Sequence, residues 1–538
     1  MATILQQNVP LSQAFIWDLQ AKFYQSLGVD AWLSGIIPSR VTTNSYIAWR
    51  FARMIASYLA DVGARNATIV ELGAGHGRFG FLCASHLQRM TTADTLANVN
   101  WQYVLTDVAE RNIDFYQQHQ AFRSLVKEHR IDFARYEAGV DQTLKLRRSG
   151  LEISSAQPVE HLIVVANYFF DSLPMDVWQV RGGELAHCSP IISLRENATI
   201  TSMDDPKILE QIDLTWAKPV PSQPNYANPE WNQVVHELAD EVGNGTFMLP
   251  VGALQTLKTT ESWSAGPMML LTADKGYPHA SDYRDRPLPT MIQHGCFSFS
   301  LNFASLGAWF CHNGGFALLP EQRNGLIETA AYVSRGILAD LPRTCFEAES
   351  LNQLTPAEYH QITRRCENTD LDLQACLGLI KLSCFEPLIA HRLRRIIRAQ
   401  IPSASSLELE MLHEVLTRTH ENYYHLNECD LPFTLAFIFQ KMGDHQRALT
   451  LYDESLKLFG AHPSTYLNRA ICQQSLGLYV DALASIQFCI EQTPNDSVAL
   501  AMQHQLFSQI QQQQAESPPF YQMAPISITP QAMPFQPY

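Results

Sequence analysis

The chain has 538 residues, and its 38 lysines and arginines against 53 aspartates and glutamates give a formal charge of −15. Hydrophobic residues make up 46% of the chain and charged residues 17%, a globular composition that excludes a mainly disordered protein. At roughly 100–200 residues per domain the length predicts about two to four domains, and the acidic balance argues against a protein that mainly wraps nucleic acid.

Several features of the sequence bear on the cellular compartment in which the protein is found. Residues 1–19 contain no basic cluster followed by an apolar run, so no secretory signal is predicted. The longest uncharged stretch, 291–320, is interrupted by serines, asparagines and glycines, which favours buried strand and helix over a membrane span. The 11 cysteines are scattered singly without a Cys-x-x-Cys pair, which predicts neither a disulfide framework nor a metal site. We therefore expect a cytoplasmic protein with no membrane partner.

The first half of the chain alternates between strand-like and helix-like segments. Residues 1–45 are predicted to be an N-terminal helical extension, and apolar residues at helical spacing predict a helix over 46–61. A strand at 67–72 then enters a glycine-rich turn, which a helix at 79–90 follows. Further strands are predicted at 103–106, 131–134, 162–166 and 268–272. This alternation predicts an α/β domain with a mostly parallel, doubly wound sheet over residues 46–330.

A long insertion, about 178–265, separates the last two of these strands. It contains a predicted hairpin, with strands at 177–180 and 185–187 around Arg181-Gly182-Gly183, and a proline- and asparagine-rich segment at 219–230. An insertion at the ligand-binding edge of such a sheet typically forms a lid or substrate platform.

Beyond about residue 330 the pattern becomes helical, and a repeat of 34 residues appears. The aligned pairs are Ala436 with Ala470, Gly443 with Gly477 and Ala448 with Ala482. This period is typical of tetratricopeptide repeats, which we predict over 426–510, with an unrelated array of helical hairpins as the alternative. Because such repeats are rarely stable in pairs, we expect the helices of the connecting region, 331–425, to pack against them. The proline- and glutamine-rich tail, 511–538, is predicted to be disordered.

The turn after the first strand is the strongest functional motif. Glu71 ends the strand, and Gly73-Ala74-Gly75-His76-Gly77 follows, with glycines where the backbone must approach a ligand closely. Gly75 to Gly80 also satisfies the dinucleotide pattern G-x-G-x-x-G, so an NAD-dependent oxidoreductase is an alternative. An acid ahead of the glycines suits the cationic amino-acid part of S-adenosylmethionine better than an anionic pyrophosphate. We therefore predict S-adenosyl-L-methionine as the cofactor.

The next two strands also end in acidic residues. Asp107 is placed to accept hydrogen bonds from both ribose hydroxyls of the cofactor, and Asp132 from its adenine amino group. Phe133, next to Asp132, is a candidate to pack on the adenine ring. These residues and the glycine turn form the predicted cofactor site.

The segment after the fourth strand supplies the candidate catalytic residues. Asn167 ends that strand and is predicted to lie near the methyl donor, while Asp171 and Asp176 are candidates to bind or orient a cationic substrate. Methyl transfer needs mainly proximity, alignment and a deprotonated or neutral nucleophile, so His294 and His76 are candidate bases. We take Asn167, Asp171 and His294 as the catalytic set, without a metal.

The motifs together resemble the MidA family of class I S-adenosylmethionine-dependent methyltransferases. The similarity lies in Glu71-Leu-Gly-Ala-Gly-x-Gly and in Asn167-Tyr-Phe-Phe-Asp-Ser-Leu-Pro174, and continues in Asp274-Lys-Gly276 and the region from His294 to Phe303. This resemblance implies a Rossmann-like methyltransferase fold, with binding roles for Glu71, Gly73, Gly75, Asp107 and Asp132.

The two modules together suggest a methyltransferase that acts on a protein recruited by the repeats. Tyr168, where the family usually has an acid, and Lys275, within the family's Asp-Tyr-Gly pattern, keep a non-catalytic scaffold open as the alternative. The basic cluster at 391–398 is spaced like a solvated helix face, so no nucleic-acid partner is expected.

Overall fold

The structure is a computed structural model that describes residues 3–516 apart from 94–95, 197, 199–201, 322–326 and 367–369. It contains two compact units, Met1–Cys429 and Asp430–Tyr538. The predicted disordered tail begins within the last described helix, and residues 517–538 of it lie outside the described residues.

The described strands and helices alternate through the first unit, and the second unit is helical. The strands are β1 (Ile4–Gln6), β2 (Asn66–Leu72), β3 (Asn100–Asp107), β4 (Ile131–Arg135), β5 (Leu144–Lys145), β6 (Glu152–Ile153), β7 (Leu162–Asn167), β8 (Asp176–Arg181), β9 (Glu184–Cys188), β10 (Pro190–Leu194), β11 (Ile212–Trp216), β12 (Val220–Pro221), β13 (Gly245–Leu249), β14 (Met268–Asp274), β15 (Gly276–Tyr277), β16 (Ile292–His294), β17 (Cys296–Ser298), β18 (Leu301–Asn302), β19 (Phe316–Leu318) and β20 (Glu328–Val333). The α-helices are α1 (Ile16–Leu27), α2 (Asp30–Leu33), α3 (Ser45–Asp61), α4 (Arg78–Thr92), α5 (Glu110–Gln118), α6 (Arg123–Lys127), α7 (Pro229–Val242), α8 (Val251–Glu261), α9 (Phe303–His312), α10 (Pro342–Asn352), α11 (Pro356–Cys366), α12 (Leu373–Leu382), α13 (Pro387–Gln400), α14 (Ser406–Glu421), α15 (Leu431–Lys441), α16 (His445–Phe459), α17 (Pro463–Ser475), α18 (Tyr479–Gln492) and α19 (Ser497–Glu516).

The first unit is built on a sheet of seven strands in the order β19-β20-β14-β7-β2-β3-β4. The five strands β14, β7, β2, β3 and β4 are mutually parallel, whereas β20 runs antiparallel to both of its neighbours. The chain leaves β2 toward β3 and β4 and then returns to β7 on the other side of β2. Ligands of such sheets bind at this point of reversal, beyond the carboxyl ends of the strands, which here means beyond Leu72 and Asn167.

The central strands are apolar throughout because both faces of the sheet are covered. In β2, Ile69 belongs to a core shared with α3 and α4, whereas Val70 belongs to a core shared with α7, α8 and α9. The mixed α/β class with a mostly parallel central sheet is thereby confirmed, as are the five strands predicted for it.

The insertion between β7 and β14 forms its own four-stranded sheet, in the order β12-β9-β8-β13. The predicted hairpin is confirmed, since β8 and β9 pair antiparallel around Gly182 and Gly183. Its role as a lid or substrate platform stays a prediction.

The domain that contains the central sheet extends beyond residue 330, the boundary predicted from the sequence. Residue 330 falls inside β20, a buried strand with the apolar run Ala330 to Val333 that lies between β19 and β14 in the sheet. Helices α10 to α14 belong to the first unit, and α10 packs on α3, where Arg53 forms an ion pair with Glu347.

The second unit consists of helices α15 to α19. Helix α15 packs on α16, and helix α17 packs on α18. Gly443 lies in the turn between α15 and α16 and Gly477 in the turn between α17 and α18, and both have positive φ. The four alanines of the 34-residue repeat are fully buried: Ala436, Ala448, Ala470 and Ala482. In the part of the chain that the structure describes, no helix combines the length and apolar character that crossing a membrane requires.

Candidate functional site

The glycine turn lies at the point of chain reversal in the sheet. Gly73, Gly75 and Gly77 have φ values of 62°, 60° and 79°, in the left-handed region that favours glycine. The turn is fastened to the end of β3, because the Ala74 N–H donates to the Thr106 carbonyl at 2.8 Å and the Gly75 N–H donates to Asp107 Oδ2 at 3.0 Å. The sequence thus builds the sharp strand-to-helix turn that it predicts.

Aromatic side chains pack directly on this turn. A Cβ added to Gly73 would lie 2.6 Å from the Phe169 ring, and one added to Gly75 would lie 2.9 Å from Trp32. At Gly77, the nearest groups are the Tyr116 ring at 2.9 Å and the Tyr424 hydroxyl at 3.0 Å. The glycines are therefore required by close approach as well as by φ. A cofactor bound at this turn would share the surface with Phe169 and Trp32.

Glu71 lies beneath the turn, 2% exposed, and accepts a hydrogen bond from the Tyr103 hydroxyl at 3.1 Å. Burial, aided by the charge of Asp107 and opposed by the Tyr103 hydrogen bond, raises the pKa of Glu71 to about 8. At neutral pH the carboxyl is therefore mostly protonated, and it acts on the turn as a neutral group.

Asp107 sits at the carboxyl end of β3 and holds both the glycine turn and the start of the next helix. Its Oδ1 accepts from the Ala109 N–H at 2.9 Å, while Oδ2 accepts from Gly75. Burial raises the pKa of Asp107 to about 6, against the effect of these hydrogen bonds. The Asn112 side chain and the Val108 backbone also act as hydrogen-bond donors that lower this pKa.

Asp132 and Phe133 occupy interior positions of β4. Asp132 accepts hydrogen bonds from the backbone N–H groups of Arg148 and Ser149 at 2.9 and 3.0 Å, which fixes the neighbouring turn. Phe133 is fully buried between Tyr116 and Phe122, with ring centroids 5.9 and 5.5 Å away. Their predicted contacts with adenine stay predictions.

Asn167 ends β7 beside the glycine turn. Its Oδ1 is buried and finds no hydrogen-bond partner among the described residues. The next residue, Tyr168, has a φ of 52°, a conformation that costs a non-glycine residue energy and that places Phe169 on Gly73. An unsatisfied acceptor next to a strained turn, at the point of chain reversal, is a feature expected of a ligand-binding edge.

A buried pair of carboxyl groups lies beyond Asn167. The backbone N–H of Asp171 donates to Asp274 Oδ2 at 3.1 Å. Burial raises the pKa of Asp171 to about 7, opposed by a hydrogen bond from Ser298 and by the charge of Lys275. Burial and the charge of Asp171 also raise the pKa of Asp274. The pair can thus hold a proton at neutral pH.

His294, in β16, lies within electrostatic range of Lys275. Burial and the nearby charge of Lys275 lower its pKa, so its imidazole is neutral at pH 7 and able to accept a proton. His76, the other histidine singled out from the sequence, is buried in the turn, where its Nε2 lies 3.2 Å from the Ser39 hydroxyl. Burial lowers the pKa of His76 to about 3, which leaves it neutral.

The sequence pattern does not identify two residues that lie in this region. Trp32, in α2, contacts Gly75 and stacks on Tyr24 of α1 with ring centroids 5.9 Å apart. The Tyr24 hydroxyl lies 3.4 Å from Cys296 Sγ, and burial together with the charges of Asp171 and Asp107 raises its pKa. No spacing in residues 1–45 indicates either contact, because both depend on how the N-terminal helices fold back over the sheet edge.

Residues 50–298, somewhat under half of the chain, match the model of a family described as "Putative S-adenosyl-L-methionine-dependent methyltransferase". This match includes the glycine turn and the carboxyl ends of β3 and β7, and it confirms S-adenosyl-L-methionine as the cofactor predicted from the sequence. Comparison with curated proteins gives no match.

The solved structures to which the chain shows low similarity include two with bound S-adenosyl-homocysteine. A protein from Burkholderia thailandensis bound to S-adenosyl-homocysteine is 13% identical over 63% of this chain and 98% of its own, with a TM-score of 0.36. The magnesium protoporphyrin IX methyltransferase of Synechocystis, with bound S-adenosyl-homocysteine, is 8% identical over 59% of this chain and 99% of its own, with a TM-score of 0.28. At this level of similarity, neither structure supports any statement about this chain.

One observation shows that the residues present fit such a cofactor in chemical type: Asn167 Oδ1 is an unsatisfied acceptor beside the glycine turn. Among the described residues, no group of three or more histidine, cysteine, aspartate or glutamate side chains is arranged to hold a metal ion.

Proposed function

We propose that this chain transfers a methyl group from S-adenosyl-L-methionine to a side chain of a protein that its C-terminal helices recruit. The observation that carries the proposal is the glycine turn at the point of chain reversal, inside the segment that matches a methyltransferase family. When bound, the cofactor supplies an electrophilic methyl group on a sulfonium.

The chain's own residues have separate tasks in this proposal. Asp107, at the end of β3, accepts hydrogen bonds from the ribose hydroxyls, and Asn167 Oδ1 accepts from the amino-acid part of the cofactor. Since Asp171 has a pKa of about 7 and His294 is neutral, either side chain can take a proton from the nucleophile of the substrate. Tyr24 covers the edge and excludes water.

Recruitment is assigned to the second unit. Its two helix pairs keep the 34-residue spacing, buried alanines and turn glycines of tetratricopeptide repeats. Leu476, Leu478 and Val480 form an exposed apolar patch around the turn between α17 and α18, with Val480 68% exposed. Exposed apolar patches commonly mark protein-interaction surfaces.

Labelled cofactor tests the substrate class. The full chain, incubated with methyl-tritiated S-adenosylmethionine and a cell lysate, is expected to label a protein. Once that protein is purified, Val480→Glu is expected to raise its KM about tenfold with kcat unchanged, since it disrupts recruitment only. Val140→Glu, at a similarly exposed apolar residue of the first unit, is the matched control and leaves both constants unchanged. Label found only in small molecules would contradict the protein substrate.

One observation favours a second candidate, a non-catalytic scaffold that retains the fold. Phe169 and Trp32 pack on the glycines, and both oxygens of Asp107 already accept backbone hydrogen bonds. A folded protein that binds S-adenosylmethionine but methylates nothing in any lysate would favour this candidate.

A further inference from the structure

A cavity of about 610 Å³ lies among the insertion, the segment after Asn167 and the N-terminal segment. Its volume is within the range of about 300–1,000 Å³ that small-molecule sites occupy. None of the residues predicted to bind the cofactor lines it. Its lining includes one acidic side chain, four with aromatic rings and one amide: Asp176, Trp178, His187, Tyr226, Trp231 and Gln255.

Asp176 is the one acidic residue among the described residues that line the cavity, and none of them is lysine or arginine. It is 2% exposed, and both of its hydrogen-bond donors are neutral: the Ser12 N–H reaches Oδ1 at 2.9 Å and the Tyr226 hydroxyl reaches Oδ2 at 2.8 Å. Two acceptor positions of the carboxylate stay free. A buried charge without a counter-charge is costly, and a cation in the cavity would offset that cost.

Aromatic rings form much of the cavity wall. The Trp178 and Tyr226 rings lie 6.4 Å apart at 67°, and the Tyr226 and Trp231 rings lie 6.0 Å apart at 66°. Hydrogen bonds fix two of them, since Trp178 Nε1 donates to the Tyr226 hydroxyl at 3.1 Å and that hydroxyl donates to Asp176. The rings thus pack edge to face on one another, and a cation that lies over the free face of such a ring is attracted by its quadrupole.

His187 also lines the cavity but does not supply a positive charge to offset Asp176. Its ring centroid lies 5.1 Å from that of Trp178, and burial lowers its pKa against the opposing charge of Asp176, so the imidazole is uncharged at neutral pH. Among the described lining residues, Asp176 is therefore the one source of negative charge. The complementary ligand is a monocation with an apolar surface.

We propose that this cavity binds an N-alkylated ammonium group, with Asp176 as its counter-ion and Trp178, Tyr226 and Trp231 as its apolar wall. A bulky, weakly hydrated ammonium suits such a wall better than a metal ion or a primary amine does. The site has its own ligand and does not depend on methyl transfer at the glycine turn.

Calorimetric titration of the full chain tests the proposal with three probes. Choline represents a free small molecule, a peptide containing trimethyllysine represents a protein side chain, and 3,3-dimethylbutanol is the uncharged isostere. Saturable binding of choline or of the peptide supports the proposal and identifies the source of the cation. Failure of both to bind at millimolar concentration, or equal binding of the isostere, overturns it.

Variants of the cavity test its residues. Asp176→Asn is expected to weaken cation binding at least tenfold, because it removes the charge with little change in size. Glu184→Gln, which removes an exposed negative charge in the neighbouring strand β9, is the matched control and leaves affinity within about twofold.

Gln255→Lys keeps the test decisive even if Asp176→Asn fails to fold. Gln255 lines the cavity from α8 and is only partly buried, so the variant places a fixed cation at the wall of the intact protein. We expect it to abolish binding of the ammonium probes. Unchanged affinity in Gln255→Lys would overturn the proposal.

Discussion

Titration of Glu71 makes the stability of the folded protein depend on pH. Its pKa is about 8 in the folded chain against an ordinary value of 4.5, so the unfolded chain loses this proton first as pH rises. Its contribution to stability is therefore fully present below about pH 4.5 and is lost as pH rises to about 8.

Glu71→Gln should remove that dependence. Denaturant unfolding between pH 5 and 8 should show that the free energy of unfolding falls less steeply with pH in the variant than in the unsubstituted protein. The two slopes should differ by up to about 1.4 kcal/mol per pH unit. Asp107 and Asp171 also have raised pKa values, so part of the slope should remain. An unchanged slope in the variant would contradict a buried, protonated Glu71.

Gly73 tests the close packing on the turn. Gly73→Ala adds a Cβ 2.6 Å from Phe169 at a φ of 62°, so strain and steric overlap should together cost about 2–4 kcal/mol. Gly182→Ala is the matched control, since Gly182 has a φ of 58° but nothing within 4 Å of an added Cβ. It should cost only about 1–2 kcal/mol in the same unfolding experiment. Equal losses would show that Phe169 does not press on the turn.

Individual residues were predicted from sequence only where a motif carries them. The spacing of Glu71, the glycines and Asp107 follows from the chemistry of a strand-to-helix turn, and the structure brings these residues together. Trp32 and Tyr24 belong to no motif and reach the same place through tertiary folding alone. The cavity around Asp176 was likewise hidden, although that residue had been singled out as a partner for a cation.

At the scale of elements, the N-terminal helices form part of the site. Arg111 of α5 donates to Asp30 Oδ2 at 2.7 Å and to the Ser26 carbonyl at 2.9 Å, which holds α1 and α2 near the glycine turn. Trp32 is thereby positioned on Gly75. The extension thus covers surface that a cofactor would also contact.

Trp32→Ala should therefore tighten binding of S-adenosylmethionine by about 3–10-fold, because the cofactor no longer competes with the indole for the turn. Leu33→Ala, at the neighbouring and partly exposed position of α2, is the control and should leave Kd unchanged. Calorimetry of both variants provides the measurement. Weaker binding in Trp32→Ala would show that the indole supports the cofactor instead.

Helix α4 is tied to the C-terminal part of the first unit by a buried ion pair. Arg78 contacts Glu386 and also Glu428, and the side chains of Arg78 and Glu386 are 6% and 5% exposed. The Tyr424 hydroxyl adds a hydrogen bond to the His76 carbonyl at 2.9 Å. These contacts join the glycine turn to the helices that follow the sheet.

Arg78→Leu should destabilise the first unit by about 3–5 kcal/mol, because it leaves the buried Glu386 carboxylate without its counter-charge. The exposed pair of Arg111 with Asp30 provides the comparison, and Arg111→Leu should cost no more than about 1 kcal/mol. Denaturant unfolding measures both losses. A loss in Arg78→Leu as small as that in Arg111→Leu would contradict a structural role for the buried pair.

Helices and strands were predicted well where the pattern of apolar residues is strong. They were predicted poorly where tertiary contacts determine which unit a segment joins. The five parallel strands are continuous apolar runs between turns, so the pattern identifies them. Strand β20 was missed because its apolar run begins only at the boundary expected near residue 330. Helices α10 to α14 were recognised as helical, but no pattern shows that they complete the first unit.

At the scale of the whole molecule, the chain combines a sheet with a ligand-binding edge and a separate helical unit with a 34-residue spacing. The charge of −15 is compatible with a cationic cofactor and a basic partner. The buried carboxyl groups at the sheet edge contribute little to that charge, since the pKa values of Glu71 and Asp171 are raised to about 8 and 7.

Calorimetric titration of the full chain with S-adenosylmethionine is the most direct measurement of the proposed function. We predict saturable binding with one cofactor per chain, and a loss of at least tenfold in affinity in Asp107→Ala, whose fold is checked by thermal unfolding. No heat of binding at millimolar cofactor, from a sample that unfolds cooperatively, would contradict the assignment of the glycine turn as a methyl-donor site.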